Sequence, residues 1–396
     1  MKEVPLSQGK VAIVDDEDYE RVMAVGPWSA VNNDSRCYAR KSRVRQGLPT
    51  LHMSRFVFNA PDGVDVDHVD GNGLDNRKSN LRLATRTQNN ANQAKQSRET
   101  SSQYKGVSWD KARELWFAKT KMAGKTVNLG RYPTEEEAAR AYDASALELW
   151  GEFARLNFPL RYTKKVVVVT GARKGVGRMC VDHFLAEGAT VIGLSRGGAS
   201  LEHPRYTHVS IDISNAQRDR EVFSEILRQH GKLDILVNAA AVATSTYAYI
   251  MPVAGAQEMA QTNLLGAFYV CREAGKIMRR NKWGRIVNVG SIHAKMAPVG
   301  ASLYAATKAA QETLVQVLSK EMAPDGITVN TLALSPIETD MLRASGTPET
   351  IQKVIDGLTI PRLTEPEDVF AGLDFFLSEG ANFYTGQTLL LGGVHQ

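Results

Sequence analysis

The sequence predicts an α/β chain: a doubly wound parallel sheet in its C-terminal part, preceded by two small α+β modules. Three observations predict it. Residues 164–396 alternate β-branched runs with Ala- and Leu-rich helical stretches, the order that lays helices on both faces of a parallel sheet. The first run enters a glycine-rich turn, Gly171-Ala-Arg-Lys-Gly175-Val-Gly177. Residues 1–160 follow another grammar, polar and rich in Asn, Arg and Trp. The length of 396 residues suits two or three domains, and 43% hydrophobic with 23% charged residues excludes disorder, collagen or a disulfide scaffold as the main content. Cys37, Cys180 and Cys271 form no CxxC pair. A structural zinc site of the usual kind is therefore excluded, and a reducing, cytoplasmic setting is expected. The first ten residues lack the apolar core of a signal peptide, and no apolar run is long enough to span a membrane, so no membrane partner is expected.

Charge is unevenly spread. From Arg77 to Arg131 there are 13 Lys/Arg against 3 Asp/Glu, whereas residues 161–396 carry 24 against 22. A basic segment inside a near-neutral chain is the footprint of a nucleic-acid binder. A solvated lysine-rich face gives the same count, so motifs must decide.

In chain order the first motif is Val66-Asp67-His68, followed by Asp75-Asn76, Asn80-Leu81-Arg82, Asn89 and Asn90. Asp67 and Asn89 can offer oxygen ligands to one hard cation such as Mg²⁺. His68, neutral near pH 7, can take a proton from water. These are parts for metal-assisted phosphodiester hydrolysis, although a turn-rich polar loop contains the same residue types. Residues 51–93 resemble the HNH homing endonucleases of phages end to end. The resemblance implies a ββα-metal fold over residues 1–98. It also implies His68 as general base, Asn80 as the group that orients it, and Asn89 as metal ligand together with Asp67.

Residues 99–160 interleave Trp109, Trp116 and Phe117 with Lys105, Lys111, Arg113, Lys119 and Lys121. Alternation from Leu115 to Lys121 predicts a strand. Thr134-Glu-Glu-Glu137 predicts a capped helix start, with the helix running to about Leu149. Three short strands and a helix, with basic and aromatic side chains on the sheet, suit insertion of strands into a DNA groove. The segment resembles the plant APETALA/ethylene-response-factor DNA-binding domain, and double-stranded DNA is the partner expected for residues 77–158. A small αβ domain whose Trp residues serve as core is the plainer alternative.

Past the short junction Phe158–Thr163, the runs Val166–Thr170, Val191–Ser195, Leu233–Val237, Arg285–Val289 and Thr328–Ala333 read as strands. The first runs into the glycine turn and then a helix to about Glu187, and its backbone N–H groups and helix N-terminus can approach a pyrophosphate. By itself such a turn is also an ordinary βα connection. Ser291, Tyr304 and Lys308 add an S-x₁₂-YxxxK array. Tyr304 and Lys308 share a helix face, and a lysine ammonium beside a phenol favours phenolate. Tyr304 is thereby expected to be a proton donor near neutral pH.

Residues 164–396 resemble the short-chain dehydrogenases/reductases over essentially their whole length, with the 3-oxoacyl-carrier-protein reductase branch nearest. The resemblance implies a Rossmann-type sheet. Thr170, Gly171, Gly175, Val176 and Gly177 would form the cofactor turn, and Asp212 and Ile213 would lie beside the adenine. Asn238 matches the start of the family's NNAG stretch, and Asn263 the residue that holds a proton-relay water. Ser291 would orient the substrate carbonyl, Tyr304 protonate it, and Lys308 bind the nicotinamide ribose. Ile337 and Thr339 belong to the retained Pro336-Ile-Glu-Thr339 stretch on the nicotinamide side. Three departures stand out: Asn238-Ala-Ala-Ala241 for NNAG, Leu334-Ser335 for Pro-Gly, and Leu391-Gly-Gly-Val394 for VDGG. None removes a catalytic group, so reduced rather than absent activity is expected.

NAD sites place a carboxylate after the second strand. Here that strand ends Leu194-Ser195-Arg196, and Arg173, Lys174 and Arg196 could face a 2′-phosphate, which predicts NADP(H). The variable segment Thr339–Ile360 sets the carbonyl or alcohol substrate, and a homo-dimer or homo-tetramer through this part is expected. Two functional readings stand side by side. One is a carbonyl reductase fused to a DNA endonuclease. The other is a DNA-binding endonuclease whose reductase part serves as nucleotide sensor or oligomerisation scaffold.

Overall fold

The computed structural model describes residues 1–33, 36–43, 48–95, 101–122, 125–344 and 347–393. The chain forms two compact units, Met1–Pro159 and Leu160–Gln396. The expected division of the first unit at residues 98 and 99 lies outside the described residues, as does Val394.

In the first unit β1 (Lys2–Pro5) pairs antiparallel with β2 (Val11–Val14), and α1 (Asp16–Ala24) follows. A second sheet joins β3 (Ser29–Asn33), β4 (Arg36–Lys41) and β5 (Leu51–His52), with α2 (Met53–Phe58) after it. Val4, Val14, Trp28, Met53 and Val57 close one core with Leu81. Leu81 belongs to β7 (Leu81–Ala84), which pairs antiparallel with β6 (Asp65–His68) in a register that sets Asp67 opposite Arg82. Helix α3 (Arg86–Ala91) follows, started by a capping box between Thr85 and Gln88. A hairpin and a helix in this order form a ββα arrangement.

β8 (Val107–Asp110), β9 (Leu115–Met122) and β10 (Lys125–Tyr132) form a three-stranded antiparallel sheet. The helix α4 (Glu135–Trp150) packs Ala138 and Ala139 against Val107 and Ala118. Thr134 and Glu137 make the expected reciprocal cap. Along β9 Ala118 and Thr120 are buried while Lys119 and Lys121 are exposed. The period of two therefore turns a basic face away from α4. Trp109 and Trp116 meet edge-on across the strands, 5.1 Å between ring centroids.

The second unit is one parallel sheet of seven strands. They are β11 (Val166–Thr170), β12 (Thr190–Ser195), β13 (Tyr206–Ser210), β14 (Ile235–Asn238), β15 (Gly284–Ser291), β16 (Ile327–Leu334) and β17 (Thr388–Leu390), in spatial order 13-12-11-14-15-16-17. The helices are α5 (Gly175–Ala186), α6 (Ala216–His230), α7 (Val253–Met259), α8 (Ala267–Met278), α9 (His293–Met296), α10 (Ser302–Met322), α11 (Asp340–Arg343), α12 (Pro348–Asp356) and α13 (Pro366–Leu377). A π-helical turn, Ala260–Gly266, joins α7 to α8.

Val167 and Val169 pack with Phe184 and Phe376 on one face, while Val166 and Val168 pack with Phe223, Val270 and Val315 on the other. Burial on both faces is why β11 is an uninterrupted apolar run. The five expected strands are all present. The sequence reading missed β13 and β17, which are the two edges. Tyr206-Thr-His-Val-Ser210 is polar and half-exposed, and β17 has three residues, so neither carries a two-sided apolar pattern. Among the described residues no helix is long and apolar enough to cross a membrane.

Candidate active site

Strand order reverses between β11 and β14, and in open α/β sheets the crevice at such a point, beyond the strands' C-terminal ends, takes the ligand. Here β11 runs through Gly171 and Gly175, both at positive φ, into α5. A Cβ on Gly177 would stand 2.3 Å from the Gly171 carbonyl oxygen, so only glycine lets the helix start this close to the turn. Lys174, the N-cap residue, makes no side-chain cap, so the first N–H groups of α5 remain available to an anion. These features fit a dinucleotide pyrophosphate. Val176 packs on the apolar core behind the turn.

Thr170 donates to Asn238 Oδ1 at 2.8 Å and accepts from the Ala240 N–H at 2.9 Å, while Asn238 donates to Asn288 at 2.7 Å. The Asn238 side chain thus ties the ends of β11, β14 and β15 together. Asp212 accepts from the N–H and hydroxyl of Ser214, holding the entry to α6. Ile213 is buried against Gly266.

At the end of β12 the cations are engaged. Arg196 pairs with Glu258 at 2.7 Å, and Lys174 lies 3.8 Å from Asp340. Arg173 lies along Gly197, and the Ser195 hydroxyl bonds the Gly197 carbonyl at 3.3 Å. Thr339 caps α11 and sits next to Gly175, while Ile337 bridges to Thr364. The departure Ser335 is bonded to Thr364, 2.6 Å between hydroxyls.

Ser291 ends β15, and Tyr304 and Lys308 lie one turn apart on α10. Ser291 hydrogen-bonds the Tyr304 phenol, which lowers its pKa, but burial has the larger effect and pushes it above the ordinary tyrosine value. This corrects the expectation that Lys308 holds Tyr304 down. The Lys308 ammonium lies 5.9 Å from the ring centroid and bonds the Val289 carbonyl and Gln311 instead. Burial without a counter-charge pushes Lys308 down to about 8. Asn263 is fully buried. Its side chain bonds both main-chain groups of Val242 and the Thr307 hydroxyl, and its own carbonyl accepts from Gln311. Gln311 went unread in the sequence, although it stands three residues after Lys308 on the same helix face.

The polar cluster of the first unit is built differently. Asp67 is 1% exposed. Its oxygens accept from Arg82 at 2.8 and 2.9 Å and from Asn92 at 3.0 Å. Asn89 instead donates to Asp65 at 3.1 Å. The expected pair is thus not joined: Asp67 is bonded by Arg82 and Asn92, and Asn89 by Asp65. Among the described residues no cluster of three or more His, Cys, Asp or Glu could hold a metal.

His68 is buried, and burial lowers its pKa, which keeps it neutral near pH 7. The side chain that orients it is Asn76, 3.3 Å from Nε2. Asn80 was expected in that role, but it ties Asp70 and the Asp75 carbonyl into the loop. Spacing could not separate Asn76 from Asn80, or Asn92 from Asn89, because several amides lie within reach of one hairpin.

The short chain dehydrogenase family matches residues 165–350. Over 238 residues the chain is 31% identical to the 3-oxoacyl-(acyl-carrier-protein) reductase FabG of Vibrio cholerae, across 58% of this chain and 96% of that one. It is 30% identical to the NAD-dependent glycerol dehydrogenase of Listeria innocua, across 58% and 93%. A solved short chain dehydrogenase from Leptospira borgpetersenii with bound NAD⁺ is similar with a TM-score of 0.56 at 26% identity, over 60% of this chain and 95% of that one. Through its larger unit the chain belongs to the short chain dehydrogenase family, and a nicotinamide-dependent oxidoreductase is the class that its fold and relatives define. Shorter matches are to HNH endonuclease, residues 59–91, and to the AP2 domain, residues 102–152.

Proposed function

We propose that the larger unit reduces a carbonyl, 3-oxoacyl or similar, to an alcohol with NADP(H). The observation that carries this reading is Ser291 at the C-terminal end of β15, hydrogen-bonded to Tyr304, with Lys308 one turn further along α10 and the glycine turn at the end of β11, one strand beyond β14. The bound nicotinamide would supply the hydride. The chain's own residues supply the rest. Ser291 orients the carbonyl oxygen, and Tyr304, held protonated by burial, gives it a proton. The Gly171–Gly177 turn and the α5 N-terminus hold the pyrophosphate.

NADP(H) is supported by the absence of a carboxylate in Leu194-Ser195-Arg196 and by Arg173 beside Gly197. A 2′-phosphate must compete with Glu258 for Arg196, which makes the preference smaller than free cations would give. The test is NADPH oxidation with acetoacetyl-coenzyme A, set against NADH. Absence of turnover with acetoacetyl and other carbonyl compounds would sink the reading.

The first unit, in the same proposal, binds double-stranded DNA and carries an HNH-type cleavage function. The basic face of β9 and the ββα hairpin with neutral His68 support it. Plasmid nicking by wild type and by His68→Ala, with and without Mg²⁺, tests it. Equal nicking by both proteins, or none by wild type, would reduce this unit to a DNA-binding module.

A further inference from the structure

Lys308 carries its ammonium into the interior at 3% exposure. Two acceptors meet it: the Val289 carbonyl at 2.7 Å and the Gln311 amide oxygen at 3.2 Å. Charged groups on the surrounding elements face other partners. Glu312 of α10 pairs with Lys295 of α9, and Glu273 of α8 with Arg272 and Lys276. Glu258 of α7 pairs with Arg196, and Asp325, just past α10, with Lys282 and Arg279. Arg285 at the start of β15 bonds Asn382 and the Gly284 carbonyl. Cys271 of α8 is a buried thiol pushed up to about 12. His293 of α9 stands edge-on to the Tyr304 ring, and burial keeps it on the neutral side. The buried polar side chains of β16, Asn330 and Thr331 among them, are uncharged.

Gln311 is 1% exposed and bonds at both ends of its amide. The oxygen accepts from Lys308, and the nitrogen donates to the main-chain carbonyl of Asn263. Chemistry sets this orientation, because an ammonium has no acceptor to offer and a carbonyl no donor. Asn263 lies in the π-helical turn, where carbonyls leave the ordinary α-helical ladder. Its carbonyl is thereby exposed to a partner from α10.

We propose that Gln311 is a positioning residue for proton delivery, its amide bridging the Lys308 ammonium to the Asn263 carbonyl and so fixing the ammonium one turn from Tyr304. The inference rests on the reductase reading of this site. An amide is neither acid nor base near neutral pH, so no proton passes through it toward the interior. As Tyr304 gives its proton to the substrate oxygen, the phenol O–H bond breaks and the alcohol O–H bond forms. The phenolate left behind is favoured by the Lys308 positive charge one turn away and regains its proton from the crevice before the next turnover. Gln311 keeps the ammonium in place for this role.

The test compares wild type with Gln311→Glu and Gln311→Leu in the full chain. Competitive acetylation of Lys308 by trace acetic anhydride over a pH series, read by peptide mass spectrometry, needs neither cofactor nor carbonyl. The wild-type midpoint is expected at about 8. A carboxylate in place of the amide should raise it by about one to three pH units, and loss of the amide's hydrogen bond should lower it. The alkaline limb of kcat for NADPH-dependent reduction of acetoacetyl-coenzyme A should move in the same two directions. Coincident labelling midpoints would overturn the proposal, as would a kcat limb that stays fixed while the midpoints move. If Gln311→Glu does not fold, Gln311→Leu against wild type decides. A wild type that binds no NADPH by fluorescence titration at any pH would instead overturn the reductase reading, leaving the labelling to judge the bridge.

Discussion

Two clusters in this molecule carry residues of catalytic type, and they are built on opposite terms. Around Lys308 a charge is buried with neutral partners, and Tyr304 and Ser291 stand at strand and helix positions that open on the crevice. Around Asp67 every carboxylate oxygen is met by Arg82 or Asn92, and the neighbouring amides bond to one another's loops. An under-compensated buried charge is poised for proton chemistry. A carboxylate bonded by several donors also ties its hairpin to its neighbours. The difference teaches that residues of catalytic type can be held by a few neutral partners in one unit and by a dense network of donors in the other.

The largest effect expected on the poised side is from Tyr304→Phe. It removes the proton donor while leaving the packing, so reduction should fall about 10²–10⁴-fold with NADPH binding nearly unchanged, as measured by steady-state rates and fluorescence titration. A variant that keeps most of its rate would mean Tyr304 is not the acid. Next comes DNA binding by the first unit. If β9 and its neighbours neutralise several phosphates, affinity should drop about 10³-fold between low and moderate salt. Salt-independent binding would break the assignment of that basic face.

Asn92→Ala sharpens the comparison directly. It takes a donor from both oxygens of buried Asp67, and a lost partner for a buried group costs about 1–3 kcal/mol. The first unit should melt earlier while NADPH binding is unaffected, which differential scanning calorimetry with and without cofactor would reveal. Unchanged melting would mean that Asp67 is held by Arg82 alone. The smallest effect concerns Glu258→Gln, which frees Arg196. An exposed pair of this kind is worth at most about 1 kcal/mol, so the NADPH-over-NADH preference should rise about two- to fivefold. A fall would place Glu258 itself against the ribose.

The residue pattern by itself determined the doubly wound sheet, its five inner strands, the glycine turn and the Ser291–Tyr304–Lys308 array. Those features are local: strands buried on both faces must be apolar throughout, a turn that packs against its own helix needs glycine, and i, i+4 residues always share a face. It also determined the α4 cap at Thr134 and the alternation along β9. It did not determine the edge strands β13 and β17, whose pairing on one side only leaves no such pattern. Nor did it decide which amide serves which charge. Gln311 on Lys308, Asn76 on His68 and Asn92 on Asp67 depend on distances across elements, which spacing along the chain does not encode. The state of Tyr304 was decided in the same way. The sequence places a cation one turn away, but tertiary packing turns that cation toward Val289 and Gln311 and encloses the phenol, so burial outweighs the charge.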